Sequence, residues 1–312
     1  MRWVIQDNMY NEEGFHKLLE ALDRVGSPYD ICKVVPFVAE LHPDVNPTGD
    51  VVVMGAYTMT KIAKKKGWYP GAILDNLDYE VQANHWGKDY MLNGSAEIYA
   101  FKDVPKQDSL FFIRPVSDGK AFTGYVTEWF AFDLWRRSVM SLSDEDSRQM
   151  SGDTMVMVSN PVSIYSETRT WVVKGEVVTA SVYKRGGKAF ASADVEPRIV
   201  EFAQARAREW SPNEAYCLDI ADTPDGLKIV EVNCLNASGF YQADMLKLVV
   251  AIEEGFGPKG CSCMYSRECR WCLEMASRHP SFCEVCKDFA SNYGATPLEC
   301  AGDCYIHSTL DY

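Results

Sequence analysis

Two side chains near the end of one apolar run stand out. In "LKIVEVNCLNASGFY", Leu227, Ile229, Val230 and Val232 form a buried-strand pattern, and Glu231 and Asn233 lie two positions apart near its end. Period-2 geometry puts a carboxylate and an amide on one face of that strand. Upstream, "AYCLDIADTPDG" carries Asp219 on a second strand, joined to the first by a turn at Pro224-Asp225-Gly226. An antiparallel hairpin therefore brings Asp219, Glu231 and Asn233 together. Three hard oxygen donors suit Mg²⁺, which takes carboxylates, waters and substrate phosphates. The competing reading is of ordinary solvated strand-end residues.

Four cations bear on the choice. Arg114 ends the apolar run "SLFFIRP", and Lys120 lies six residues on in the polar loop "VSDGKAFTG". Arg169 interrupts an otherwise apolar stretch of "SIYSETRTWVVKGEVVTASVYK", and Lys184 closes it. Polyphosphate chemistry needs such cations where charge moves. For either of the last two alone, a solvated outer face of an antiparallel sheet is the favoured reading.

Local patterns predict the elements that must position these residues. Strands are expected at Arg2–Asp7, Tyr29–Val35, Val51–Gly55, Ser109–Pro115 and in "GDTMVMVSN". Helices are expected over Asn11–Val25 (capped by Asn11), "YTMTKIAKKK", Val126–Leu142, a segment capped by Asp194 with Pro197 early in it, and "SGFYQADMLKLVVAIEE". A hairpin turning at Lys174-Gly175 carries Arg169 and Lys184. The stretch "NHWGKDYMLNGSA" has no clean period and reads as a connector.

Bulk properties bound the function. The chain has 312 residues, 47% of them hydrophobic, which fits two or three lobes around a cleft. With 31 Lys plus Arg against 44 Asp plus Glu, the formal charge of -13 argues against broad binding to nucleic acid or anionic lipid. The first residues lack a signal-peptide h-region, and no apolar run approaches the ~18 residues of a membrane span. A cytoplasmic protein is expected, in the host cytoplasm if phage-encoded.

The ordered set "FIRP…DGKAFTG", "MVMVSN", "ETRTWVVKGEVV" and "YCLDI…LKIVEVN" resembles the ATP-grasp superfamily from about Trp86 to Glu254. The wording "YMLNGSA…FFIRP…GKAFTG…SGFY" is similar to an ATP-grasp clade found in phages and bacteria. The resemblance implies an α+β fold of two lobes gripping ATP between antiparallel sheets; before it, the alternation of strands and helices predicts a small α/β lobe. It implies ATP with Mg²⁺, a carboxylate and an amine as substrates, and ligation through an acyl phosphate. The substrate expected by analogy is an amino acid or a peptide. Arg114 and Lys120 would hold phosphates, hinge backbone at Val158 the adenine, and Glu167 a ribose hydroxyl. Asp219, Glu231 and Asn233 would hold magnesium, while Arg169 and Lys184 stabilise the transferring phosphoryl group. Many relatives have Lys-Pro where this chain has Arg114-Pro115, and the loop after it is poorer in glycine. A phosphotransferase on the same scaffold and a zinc-tail adaptor with a vestigial nucleotide site stay open as alternatives.

Cysteine distribution sets the last boundary. Eight of the 11 cysteines fall in the tail, at Cys261, Cys263, Cys269, Cys272, Cys283, Cys286, Cys300 and Cys304. The pairs Cys269/Cys272 and Cys283/Cys286 have zinc-knuckle spacing, with His279 or His307 able to replace one thiolate. Poor in branched aliphatics, this tail needs metal to fold, and it offers a surface for a protein partner; the alternative is a disordered appendage. The expected organisation is an N-terminal α/β lobe over 1–85, an ATP-grasp domain over 86–256 and a zinc-binding tail over 257–312.

Overall fold

The computed structural model describes residues 1–7, 13–35, 38–73, 78–116, 121–141 and 150–257. Lys120 and the eight tail cysteines lie outside the described residues, as does Asn11.

The chain opens with β1 (Arg2–Gln6), α1 (Glu13–Val25), β2 (Tyr29–Val35), β3 (Glu40–His42), β4 (Val51–Met54), α2 (Tyr57–Lys66) and β5 (Pro70–Gly71). These strands form one sheet in the order β3-β2-β1-β4-β5. Its β1–β2, β1–β4 and β4–β5 pairs are parallel, and β3 is an antiparallel edge. The uninterrupted run Val51–Met54 is wholly buried, as expected of a strand covered on both faces. Phe15, Leu18, Ala21 and Leu22 form the buried stripe of α1.

Next come α3 (Tyr79–Trp86), β6 (Glu97–Ala100), β7 (Phe111–Pro115), β8 (Tyr125–Thr127), α4 (Trp129–Met140) and β9 (Met155–Ser159). The strands pair antiparallel in the order β6-β9-β7-β8. Phe101, Phe111, Ile113, Phe132, Val156 and Val158 make this lobe's core.

The third sheet is built from β10 (Ser166–Val173), β11 (Glu176–Arg185), β12 (Lys188–Ser192), β13 (Ala215–Thr223) and β14 (Gly226–Asn233). Its order is β12-β11-β10-β13-β14, all antiparallel. Between β12 and β13 runs α5 (Pro197–Glu209), and α6 (Met245–Phe256) follows β14. Apolar Val172, Tyr216, Leu218, Ile220, Ile229 and Val232 pack with Ile199, Ala203 and Ala207 of α5. Alternation then sends Glu167, Arg169, Asp219, Glu231 and Asn233 to the opposite face. Residues Arg2 to Ala251 form one compact unit.

Several expectations are corrected. The stretch 126–142 is not one helix: Val126 pairs with Phe112 in β8, and α4 starts only after Glu128. The cap of α5 is Glu196 rather than Asp194, because Pro197 takes the first helical position, where its missing N–H costs nothing. The helix expected from Ser238 begins at Met245; Tyr241, at φ 51°, is left-handed and interrupts it. The connector over 84–96 overlaps α3, and Met91 and Leu92 dock on Ile229, with Leu92 N donating to Ile229 O at 2.7 Å.

One buried amide ties the parallel sheet to the end of β14. Asn236 Nδ2 donates to Val53 O at 2.7 Å and Gly71 O at 3.2 Å, and its Oδ1 accepts from Ile73 N at 2.9 Å. The Gly55 N–H closes the joint on Asn236 O at 2.8 Å.

Candidate active site

Register builds the site. Arg169 of β10 stands opposite Asp219 of β13, which stands opposite Glu231 of β14; Asn233 lies two pairs further, opposite Cys217. Cross-strand partners share a face, so the four polar side chains converge. Arg169 grips Asp219 with both arms of its fork, Nε to Oδ1 at 2.9 Å and Nη2 to Oδ2 at 2.8 Å. Asn233 Nδ2 donates to Asp219 Oδ2 at 3.0 Å and Glu231 Oε1 at 3.1 Å.

Two bulges shape the walls. Glu167 pairs with Lys184 but Thr168 pairs with Val182, so Tyr183 is the extra residue on β11. Regular alternation would send Tyr183 and Lys184 to opposite faces. The bulge lets both reach one carboxylate: Tyr183 Oη donates to Glu167 Oε2 at 2.7 Å, and Lys184 Nζ lies 2.8 Å from Oε1. On β14 the extra residue is Val230, between the pairs Asp219–Glu231 and Ile220–Ile229.

A cleft of about 420 Å³ separates this sheet from the four-stranded one. Phe112, Arg114, Phe122 and Gly124 line it from β7 and the loop after it; Glu167, Tyr183, Val230 and Glu231 line it from the other sheet. Arg114 Nη1 spans the gap to Glu231 Oε2 at 3.5 Å. A larger cavity of about 810 Å³ lies elsewhere, lined by Lys17 and Arg24 of α1, Val178 and Thr179 of β11 and Lys247 of α6. The smaller cleft is the one that meets the charged row.

Exposure differs sharply along that row. The Asp219 side chain is 1% exposed and that of Arg169 10%, while Glu231 is 37% and Lys184 42% exposed. Burial pushes the Asp219 carboxyl above its ordinary range, and Arg169 opposes that shift. For Arg169, burial disfavours the cation, but Asp219 outweighs it and the guanidinium is held charged. Burial, with Asp219 and Glu167 nearby, raises the Tyr183 hydroxyl and keeps it a donor.

The sequence-expected residues fall into three groups. Arg114, Glu167 and Glu231 line the cleft. Arg169 and Asp219 sit behind it as a buried pair. Val158 lies inside β9, paired on both sides by β6 and β7, so its backbone belongs to the sheet and the connector 160–165 follows it. Sequence reasoning missed Tyr183 and the aromatic lining from Phe112 and Phe122. It also missed Tyr241, whose ring stacks on Tyr183 with centroids 5.2 Å apart.

The donor set fits magnesium. Asn233 donates its Nδ2 to two carboxylates and carries a carbonyl oxygen besides, and Glu231 lines the cleft. These are hard oxygen donors of the kind that bind the ion beside phosphates. Among the described residues, no group of three or more His, Cys, Asp or Glu side chains forms a cage for a metal. Nor, among them, is any helix long and apolar enough to cross a membrane.

A known structure shares this architecture. A RimK domain ATP-grasp protein from Sphaerobacter thermophilus superposes with a TM-score of 0.51 at 16% identity, over 80% of this chain and 99% of that one. D-alanine–D-alanine ligase from Bacillus anthracis gives 0.49 at 10% identity, over 82% and 94%. No curated protein sequence matches the chain. A sequence profile of the ATP-grasp domain, R2K clade family 3, matches residues 34–252. The chain belongs to that ATP-grasp family.

Proposed function

We propose that this protein is an ATP-dependent ligase that joins a carboxylate to an amine. The observation that carries the reading is the cleft between two antiparallel sheets, with Arg114 on one wall facing Glu231 on the other at 3.5 Å. Such a cleft matches a nucleotide: aromatic on the Phe112 and Phe122 side, cationic at Arg114, acidic where metal-bound phosphates would lie. Arg114 would take phosphate oxygens with its planar fork, freeing Glu231. Glu231 and the Asn233 carbonyl would hold magnesium. When bound, the ion neutralises charge on the β- and γ-phosphates.

The reaction proposed has two steps. A substrate carboxylate oxygen attacks the γ-phosphorus; the bond to the bridging oxygen breaks, and ADP leaves with an acyl phosphate formed. A neutral amine then attacks the acyl carbon, phosphate departs, and the amine proton passes to solvent or phosphate. No protein nucleophile is needed, because positioning and fixed charge do the work. Lys184, the more exposed cation beside Glu167, would face the transferring phosphoryl group. Arg169 would act through Asp219, fixing that carboxylate beside Asn233.

An assay for free phosphate and ADP across amino-acid and peptide carboxylates paired with amines tests the reading. Phosphate release that needs both co-substrates supports ligation. A phosphorylated acceptor without free phosphate would mark a phosphotransferase instead.

A further inference from the structure

Tyr183 occupies a place that the proposed chemistry does not yet use. It is the bulge residue of β11, and its hydroxyl reaches two carboxylates from different strands: Glu167 Oε2 at 2.7 Å and Asp219 Oδ2 at 3.5 Å. The Tyr183 ring stacks on that of Tyr241, with an interplanar angle of 16°. Both rings lie against the Arg169 guanidinium, 5.5 Å and 5.4 Å from its carbon. Tyr241 holds φ 51°, a left-handed backbone that a bulky residue seldom adopts. A strained backbone on one side and a bulge on the other thus bring two aromatic rings to one guanidinium.

We infer that Tyr183 is a positioning residue for the metal and phosphate site, its hydroxyl fixing the separation of Glu167 and Asp219 while its ring, with Tyr241, locks Arg169 on Asp219. This rests on the ligase reading. Through Asp219 the constraint passes to Asn233, whose Nδ2 is shared between Asp219 and Glu231. Without the hydroxyl, Glu167 keeps Lys184 alone, and Asp219 loses a tether on the oxygen that also orients Asn233. Asn233 and Glu231 then meet the metal with the wrong spacing, although the fold is intact.

The test is a titration of Mn²⁺ in the presence of the ATP analogue AMP-PNP, with free Mn²⁺ read by electron paramagnetic resonance. Tyr183→Phe keeps the ring and removes the hydroxyl. Its Mn²⁺ affinity is expected to fall roughly tenfold, the weight of one charge-assisted hydrogen bond. Glu167→Gln, which leaves the Tyr183 ring and alters the acceptor, should lower Mn²⁺ affinity in the same direction and provides the measurement if the Phe variant does not fold. In a double-mutant cycle with Glu167→Gln the two losses should fall short of additive, because they share one contact. Wild-type affinity in Tyr183→Phe or in Glu167→Gln, or additive losses in the cycle, overturns the role of Tyr183 and leaves the ligase reading standing. Failure of the wild-type protein to bind Mn²⁺ with AMP-PNP overturns both.

Discussion

Arg169 and Asp219 stand directly opposite each other on β10 and β13 and share two charge-assisted hydrogen bonds, at 2.8 and 2.9 Å, where almost no solvent reaches. A buried pair of this kind is costly to break, because the remaining charge has no water to turn to. Arg169→Met should therefore lower unfolding free energy by about 3–5 kcal/mol at neutral pH, read from urea midpoints at unchanged slope. Arg169→Lys should fall between the two, keeping the charge and losing the fork.

The same pair sets a pH dependence. Burial raises the folded-state Asp219 carboxyl above its unfolded value, and removing Arg169 removes the main influence pulling it down. The folded variant then binds a proton at higher pH than the unfolded chain does. Stability from that protonation is fully present below the ordinary carboxyl range and is lost as pH rises through the raised folded value. The deficit of Arg169→Met relative to wild type should shrink at pH 5 compared with pH 7.5. A deficit that grows on acidification would mean that the buried carboxylate is not what the arginine compensates.

Asn236 should matter to stability. Asn236→Ala leaves the carbonyls of Val53 and Gly71 and the N–H of Ile73 without this partner, at an expected cost of about 2–4 kcal/mol. Thermal melts of variant and wild type measure it.

The two hairpins that carry the site were legible because their signals are local. Lys174 and Gly175 both adopt positive φ, 51° and 82°, the two-residue turn that the pair announces in sequence. The turn at Pro224-Asp225 likewise brings Asp219 opposite Glu231. The pairing of Arg169 with Asp219, 50 positions apart, depends on which hairpin strand lies beside which, and no local period records that. Bulges are equally silent. Period-2 reading sends Tyr183 and Lys184 to opposite faces, and only the slipped ladder between Glu167 and Thr168 turns both toward Glu167. Short β3, β5, β6, β8 and β12 escaped because their partners, not their own residues, make them strands.

Gly124 sets the width of the cleft. A Cβ there would lie 2.8 Å from Phe112 Cζ and 2.9 Å from Arg114 Cβ, too close for either. Gly124→Ala should push the loop off β7 and weaken ATP binding, while destabilising the apo protein by about 1–3 kcal/mol. Melting temperatures with and without ATP separate the two effects.

The internal thiols should be inert in the folded state. Burial pushes Cys217 up to about 12 and Cys32 up to about 11, so neither offers thiolate near neutral pH. Alkylation at pH 8 followed by peptide mapping should modify both only after denaturation.

A crystal grown with AMP-PNP and Mn²⁺, examined by anomalous diffraction, locates metal and nucleotide in one measurement. A manganese peak is expected about 2.1 Å from the Glu231 carboxylate and the Asn233 carbonyl oxygen, with the phosphates reaching Arg114 across the cleft. Nucleotide bound in the cavity beside α1 and α6, or manganese on other residues with Glu231 still paired to Arg114, would contradict it.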